Sequence, residues 1–102
     1  DVETAVRAGI AITTVLLNNS AMATYSGPTQ GTIGATARAR FGVSTMQGDY
    51  AKIAEGMGAT GLRVTTVGEL TEALAEAQRL NAAGRTVLID VAANVEKRRS
   101  RF

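Results

Sequence analysis

The chain has 102 residues, 45% of them hydrophobic and 20% charged, which fits one soluble globular domain and argues against general disorder. It has no Cys and no His, which excludes a disulfide scaffold, the usual zinc, haem and iron–sulfur ligand sets, and Ser-His or Cys-His nucleophile pairs. Removing Lys97, Arg98, Arg99, Arg101 and the one nearby anion, Glu96, takes the formal charge from +2 to −1. The body therefore lacks the basic face that nucleic acid requires, and residues 95–102 read as a solvated basic tail.

Residues 1–8 carry Val2, Ala5 and Val6 on one side, and Gly9 is a helix stop. Residues 10–17 are almost continuously apolar and β-branched, the pattern of a strand covered on both faces of a parallel sheet. Residues 20–48 show little periodicity, are rich in glycine and small residues, and predict a long loop with room for a short helix within residues 36–41. Asp49 is an N-cap for a helix whose stripe is Tyr50, Ile53, Ala54 and Met57, and Gly58 ends it. Gly56, Gly58 and Gly61 form no dinucleotide fingerprint and read as helix termination and a tight turn. Leu62-Arg-Val64 is a short strand.

Thr66 and Glu69 have capping-box spacing ahead of a helix that buries Leu70, Ala73, Leu74 and Ala77 and exposes Glu69, Glu72, Glu76 and Arg79. Asn81 and Gly84 stop it, and residues 86–91 form a second buried strand. Strands alternating with helices predict an α/β fold with a parallel sheet flanked by helices. No apolar run reaches the roughly 18 residues that cross a bilayer, so no membrane association is expected. The absence of Cys fits the cytoplasm.

A metal held here must use oxygen ligands, which points to magnesium or calcium. In open α/β sheets ligands bind beyond the carboxyl ends of the strands. Asn18-Asn19 stands there, directly before the glycine-rich loop. Two readings fit the pair: a turn, since Asn tolerates left-handed geometry, or a polar anchor whose amide oxygen serves Mg²⁺ beside phosphates and a carboxylate. Glu55 on a polar helix face and Asp90 inside the last strand are weaker candidates. Met22, Met46 and Met57 read as gap fillers, with Met22 close enough to the Asn pair to line a pocket.

Four segments, in order, resemble the C-terminal half of the thiamine diphosphate-binding domain of the acetolactate synthase and 2-oxo acid decarboxylase superfamily. Glu3-Thr-Ala-Val-Arg7 is similar to the family's Glu-Leu-x-Thr-Ala-x-Arg helix, and Val15-Leu-Leu-Asn-Asn19 to the strand that closes its cofactor motif. Residues 49–59 resemble its Asp-Phe-x-x-Leu-Ala-x-x-Phe-Gly-Ala helix. Glu69-Leu-x-x-Ala-Leu74 and Val87-Leu-Ile-Asp-Val91 resemble its terminal helix and strand.

The resemblance implies a three-layer αβα domain of which residues 1–102 are the C-terminal part, with residues 20–48 as the cofactor-site loop. It implies Asn19 as a Mg²⁺ ligand through its side chain and Ala21 through its backbone carbonyl, with Met22, Ala23 and Thr24 along bound thiamine diphosphate. The family motif opens with Gly-Asp-Gly about 25–30 residues before its Asn-Asn, and that opening is not in this sequence. The chain, which starts at Asp1 inside a helix, therefore reads as a piece of a larger enzyme, inactive alone and holding no catalytic residue itself.

The implied parent is a transferase or lyase acting on a carbon–carbon bond next to a carbonyl, with a small 2-oxo acid-type substrate. Its partners would be the rest of its own polypeptide and a second subunit, supplying the activating Glu, in a homo-oligomer (dimer or tetramer). Tyr25 stands where decarboxylases of the group often carry Glu, and residues 20–25 do not reproduce the Gln-Gly-Met of acetolactate synthases, so the subfamily stays open. The alternative is a small non-enzymatic α/β interaction module with a basic tail.

Overall fold

The computed structural model describes residues 1–21, 40, 42 and 45–94. The chain forms two compact units, residues 1–18 with 48–93, and residues 19–47 with 94–102. In the first unit the described elements are α1 (Val2–Arg7), β1 (Thr13–Asn18), α2 (Tyr50–Gly56), β2 (Thr60–Val64), α3 (Val67–Ala82) and β3 (Val87–Ala92). The alternating order expected from the sequence is present. Of the expected helix within residues 36–41 only Arg40 is described, and it is helical; the basic tail at 95–102 falls on residues outside those described.

The three strands form a parallel sheet in the order β1-β3-β2. The last strand in the chain is thus the central one, and Val87, Leu88, Ile89 and Asp90 are all buried. Residues in register share a face. Val87, Ile89 and Val91 of β3 meet Leu62 and Val64 of β2 beneath Leu70, Ala73, Ala77 and Leu80 of α3. On the opposite face Leu88 packs with Ala54, Ala59, Tyr50, Val2 and Val6, which belong to α1, α2 and the turn after α2. This is the expected sheet flanked by helices. Full burial of Val87 or Ile89 stabilises the fold by about 1.5–3 kcal/mol each.

Several expected boundaries and faces shift. The first strand begins at Thr13 and runs through Asn18, because Gly9 turns the chain at φ +67° and the segment from Ile10 to Ile12 serves the sheet base instead. There the Ile10 carbonyl accepts the Thr86 hydroxyl at 2.7 Å, and the Ile12 carbonyl accepts the Val87 N–H at 2.8 Å. The expected cover on both faces of this strand is also corrected. β1 is an edge strand of the described sheet, Val15 is 45% and Leu17 72% exposed, and α3 packs over β2 and β3.

The stripe on α2 rotates. Ala51 and Ala54 are buried while Ile53 is exposed, since only the small side chains fit where the helix meets the sheet. On α3, Leu80 packs on the core where Leu74 was expected to, and Leu74 is exposed. Asn81 lies inside α3 and joins its last turn to the sheet, accepting the Thr13 hydroxyl at 2.6 Å and donating to the Arg85 carbonyl at 2.7 Å. Gly61 is a β2 residue and not part of a turn.

Capping follows the sequence closely. The Asp49 side chain accepts the Lys52 N–H at 3.1 Å. The Thr66 hydroxyl accepts the Glu69 N–H at 3.2 Å, and Glu69 Oε2 accepts the N–H of Thr65 at 2.7 Å and of Thr66 at 3.2 Å. The Thr65 backbone N–H first, then the Thr65 hydroxyl, hold the Glu69 carboxyl below its ordinary 4.5.

A depressed carboxylate contributes stability that is present above its unfolded value and lost as pH falls through the folded one. Below about pH 4.5 this cap should therefore weaken. Glu69→Gln keeps the shape without the charge. Its melting temperature should fall less than that of the unmodified protein between about pH 6 and pH 3. Equal losses would show that the charge contributes nothing.

Candidate functional site

β1 ends at Asn18, whose register partner is Ala92, and Asn19 is the next residue of the chain. Of the anticipated Asn18-Asn19 pair, one thus belongs to the sheet ladder and only the other enters the following segment. Asn18 is itself engaged, its carbonyl accepting the Ala93 N–H at 2.8 Å.

Within the second unit, Asn19 Oδ1 accepts the Ala21 N–H at 3.0 Å. A backbone N–H requires an acceptor, so the bond fixes which side-chain atom is the oxygen. The bond closes a local ring over Ser20, and the left-handed residue in it is Ser20 and neither Asn. Ser20 has φ +53°, and it is the sole non-glycine residue with positive φ among those described. Its carbonyl accepts the Met46 N–H at 3.0 Å, and Ala21 pairs with Thr45 in an antiparallel bridge. Gly42, at φ +57°, turns the other side, its carbonyl taking both the N–H and the hydroxyl of Thr45 at 3.1 Å.

The ring gathers neutral, hard oxygen chemistry. An amide oxygen has two lone pairs, so one remains for a cation while the Ala21 N–H occupies the other. No cluster of three or more acidic ligands occurs among the described residues. A divalent ion at Asn19 would thus complete its shell with oxygens from elsewhere, as Mg²⁺ does when it takes phosphates and water. In this respect the residues fit Mg²⁺ carried by a diphosphate. Met22, Ala23 and Thr24 lie outside the described residues.

The weaker candidates separate from this turn. Glu55 is exposed on α2. Asp90 is 1% exposed in β3, and Arg63 Nη1 lies 3.5 Å from its Oδ2. It is a buried ion-pair partner within the sheet, and sequence reasoning missed that pairing because the partner comes from another strand. A groove along β2 and α3 is lined by Glu69, Glu72 and Glu76. Its carboxylates would repel a diphosphate. Glu76 is already held by Arg79 in a two-pronged ion pair.

No helix among the described residues is long and apolar enough to cross a membrane. The family model for the thiamine pyrophosphate enzyme, C-terminal TPP binding domain, matches residues 1–91. That span includes all three strands nearly to their ends and the whole Asn19–Ala21 turn. No curated protein matches the chain.

Proposed function

Because the chain belongs to the thiamine pyrophosphate enzymes through their C-terminal TPP-binding domain, we propose that it grips the cofactor's diphosphate through Mg²⁺ at the Asn19–Ala21 turn. The parent is an enzyme dependent on thiamine diphosphate. The observation that carries the reading is the Asn19 side-chain oxygen, held 3.0 Å from the Ala21 N–H immediately after β1 ends. Asn19 would serve Mg²⁺ through its side chain and Ala21 through its backbone carbonyl, with Met22, Ala23 and Thr24 beside the bound cofactor. The bound cofactor supplies an electron sink next to a carbonyl carbon. The residues of this chain bind and orient; none of them is assigned a proton-transfer role.

The reaction class is the making or breaking of a carbon–carbon bond next to a carbonyl, acetolactate synthase-like or 2-oxo acid decarboxylase-like, on a small 2-oxo acid-type substrate. We place the chain as one part of a larger subunit, inactive in isolation. The exposed Val15 and Leu17 support this, since an apolar row on an edge strand is surface that a fuller domain would cover. The activating Glu would come from a second subunit of a homo-oligomer in the cytoplasm.

Asn19→Ala in the full-length enzyme tests the site. Losing a ligand to the ion should weaken thiamine diphosphate binding, measured at fixed Mg²⁺, by at least about tenfold and lower turnover with it. If affinity and turnover both survived, the assignment would be wrong.

A further inference from the structure

The feature that the family match leaves unexplained is the backbone of Ser20. We propose that Ser20 is a positioning residue whose left-handed conformation holds the Asn19 amide oxygen against the Ala21 backbone and so preforms the Mg²⁺ site. This rests on reading Asn19 and Ala21 as the ligands.

Successive residues of an extended chain send their side chains to opposite sides. Had Ser20 continued the extended geometry of β1, the Asn19 side chain and the backbone beyond it would diverge. At φ +53° the chain instead folds back, and Asn19 Oδ1 comes within 3.0 Å of the Ala21 nitrogen. A residue with a Cβ rarely adopts this conformation, and when it does the surrounding structure must hold it there. Bonds on both sides of it contribute here. The Asn19–Ala21 ring closes over Ser20 on one side, and the Met46 N–H holds the Ser20 carbonyl on the other. The strain is thus located at the one residue that separates the two ligand positions. A preformed pair of ligands spares the ordering that a flexible segment would undergo on binding.

The side chain at position 20 should then matter through the backbone angle it tolerates. Gly and Asn accept positive φ, whereas a β-branched residue resists it. In the full-length enzyme, Ser20→Gly and Ser20→Asn should keep Mg²⁺ affinity within about threefold, and Ser20→Val should weaken it by about tenfold or more. Affinity is read by calorimetric titration of Mg²⁺ at saturating thiamine diphosphate, alongside the melting temperature of the cofactor-free protein.

Wild-type affinity in Ser20→Val overturns the inference. So does a loss in the Gly or Asn variant as large as that in Val, which would place the role in the hydroxyl. If Ser20→Val does not fold, the Gly and Asn variants decide: retained affinity supports the backbone role, and lost affinity ends it. Asn19→Ala separates the two levels of failure. If Asn19→Ala also leaves Mg²⁺ affinity intact, the site reading itself falls. If Asn19→Ala abolishes binding while Ser20→Val does not, only the role of Ser20 falls.

Discussion

Gly61→Ala is expected to destabilise the protein by about 3 kcal/mol or more, the top of the range for adding a methyl group to a packed core. A Cβ at position 61 would lie 2.2 Å from the Ala51 carbonyl oxygen, 2.6 Å from its carbon and 2.9 Å from its Cα. These are backbone atoms of α2, so no rotamer change can move them away. The helix must lift from the sheet, which opens the cluster of Ala54, Ala59 and Leu88 beneath it. Gly56→Ala is the control. Nothing lies within 4 Å of a Cβ there, and the position closes a helix, so it should be neutral or slightly stabilising. Chemical denaturation of both variants checks the pair. A loss below about 1 kcal/mol for Gly61→Ala would show that α2 and β2 are not so closely packed.

The second large effect concerns the ion pair inside the sheet. Asp90 is 1% exposed, and neither of its oxygens has a hydrogen-bond partner among the described residues. Its compensation is Arg63 Nη1 at 3.5 Å from the neighbouring strand, where the register sets the two side by side. Removing one partner of a fully buried pair costs about 3–5 kcal/mol, because a bare charge remains in a poorly polar setting. The Arg63 side chain is 53% exposed, so solvent already screens part of the attraction and about 2–3 kcal/mol is expected for Arg63→Met.

That substitution keeps the aliphatic stem, so the loss reports charge and not packing. Adding Asp90→Asn removes the stranded charge at nearly constant volume and should recover at least half of the loss. The checking measurement is a double-mutant cycle of unfolding free energies. Strictly additive effects would mean that the two residues do not interact.

Both of these effects arise from contacts across the fold that local spacing does not reveal. The Thr66–Glu69 capping box and the Asp49 cap were legible because donor and acceptor lie within one turn of chain, where spacing fixes distance. The helix stops at Gly9, Gly58 and Gly84 were legible for the same reason, each sitting at positive φ where the stop was expected. Asn19 was legible as a polar residue ending a strand, and the structure shows its turn. The expected roles of Met22, Ala23 and Thr24 fall on residues outside those described. The backbone angle of Ser20 had no signal at all, because serine carries no preference for positive φ.

The sequence by itself determined the local order of helices and strands, their caps, the family and the absence of histidine and cysteine chemistry. Each of these follows from residue identity and short-range spacing. Tertiary structure alone decided that β3 is central and β1 an edge, that Leu74 is exposed while Leu80 packs, that Gly61 faces the backbone of Ala51, and that Arg63 meets Asp90. The physical reason is common to all four. Burial, steric contact and charge pairing depend on neighbours distant in the chain, and an apolar run such as residues 15–17 reads alike whether or not another strand lies beside it.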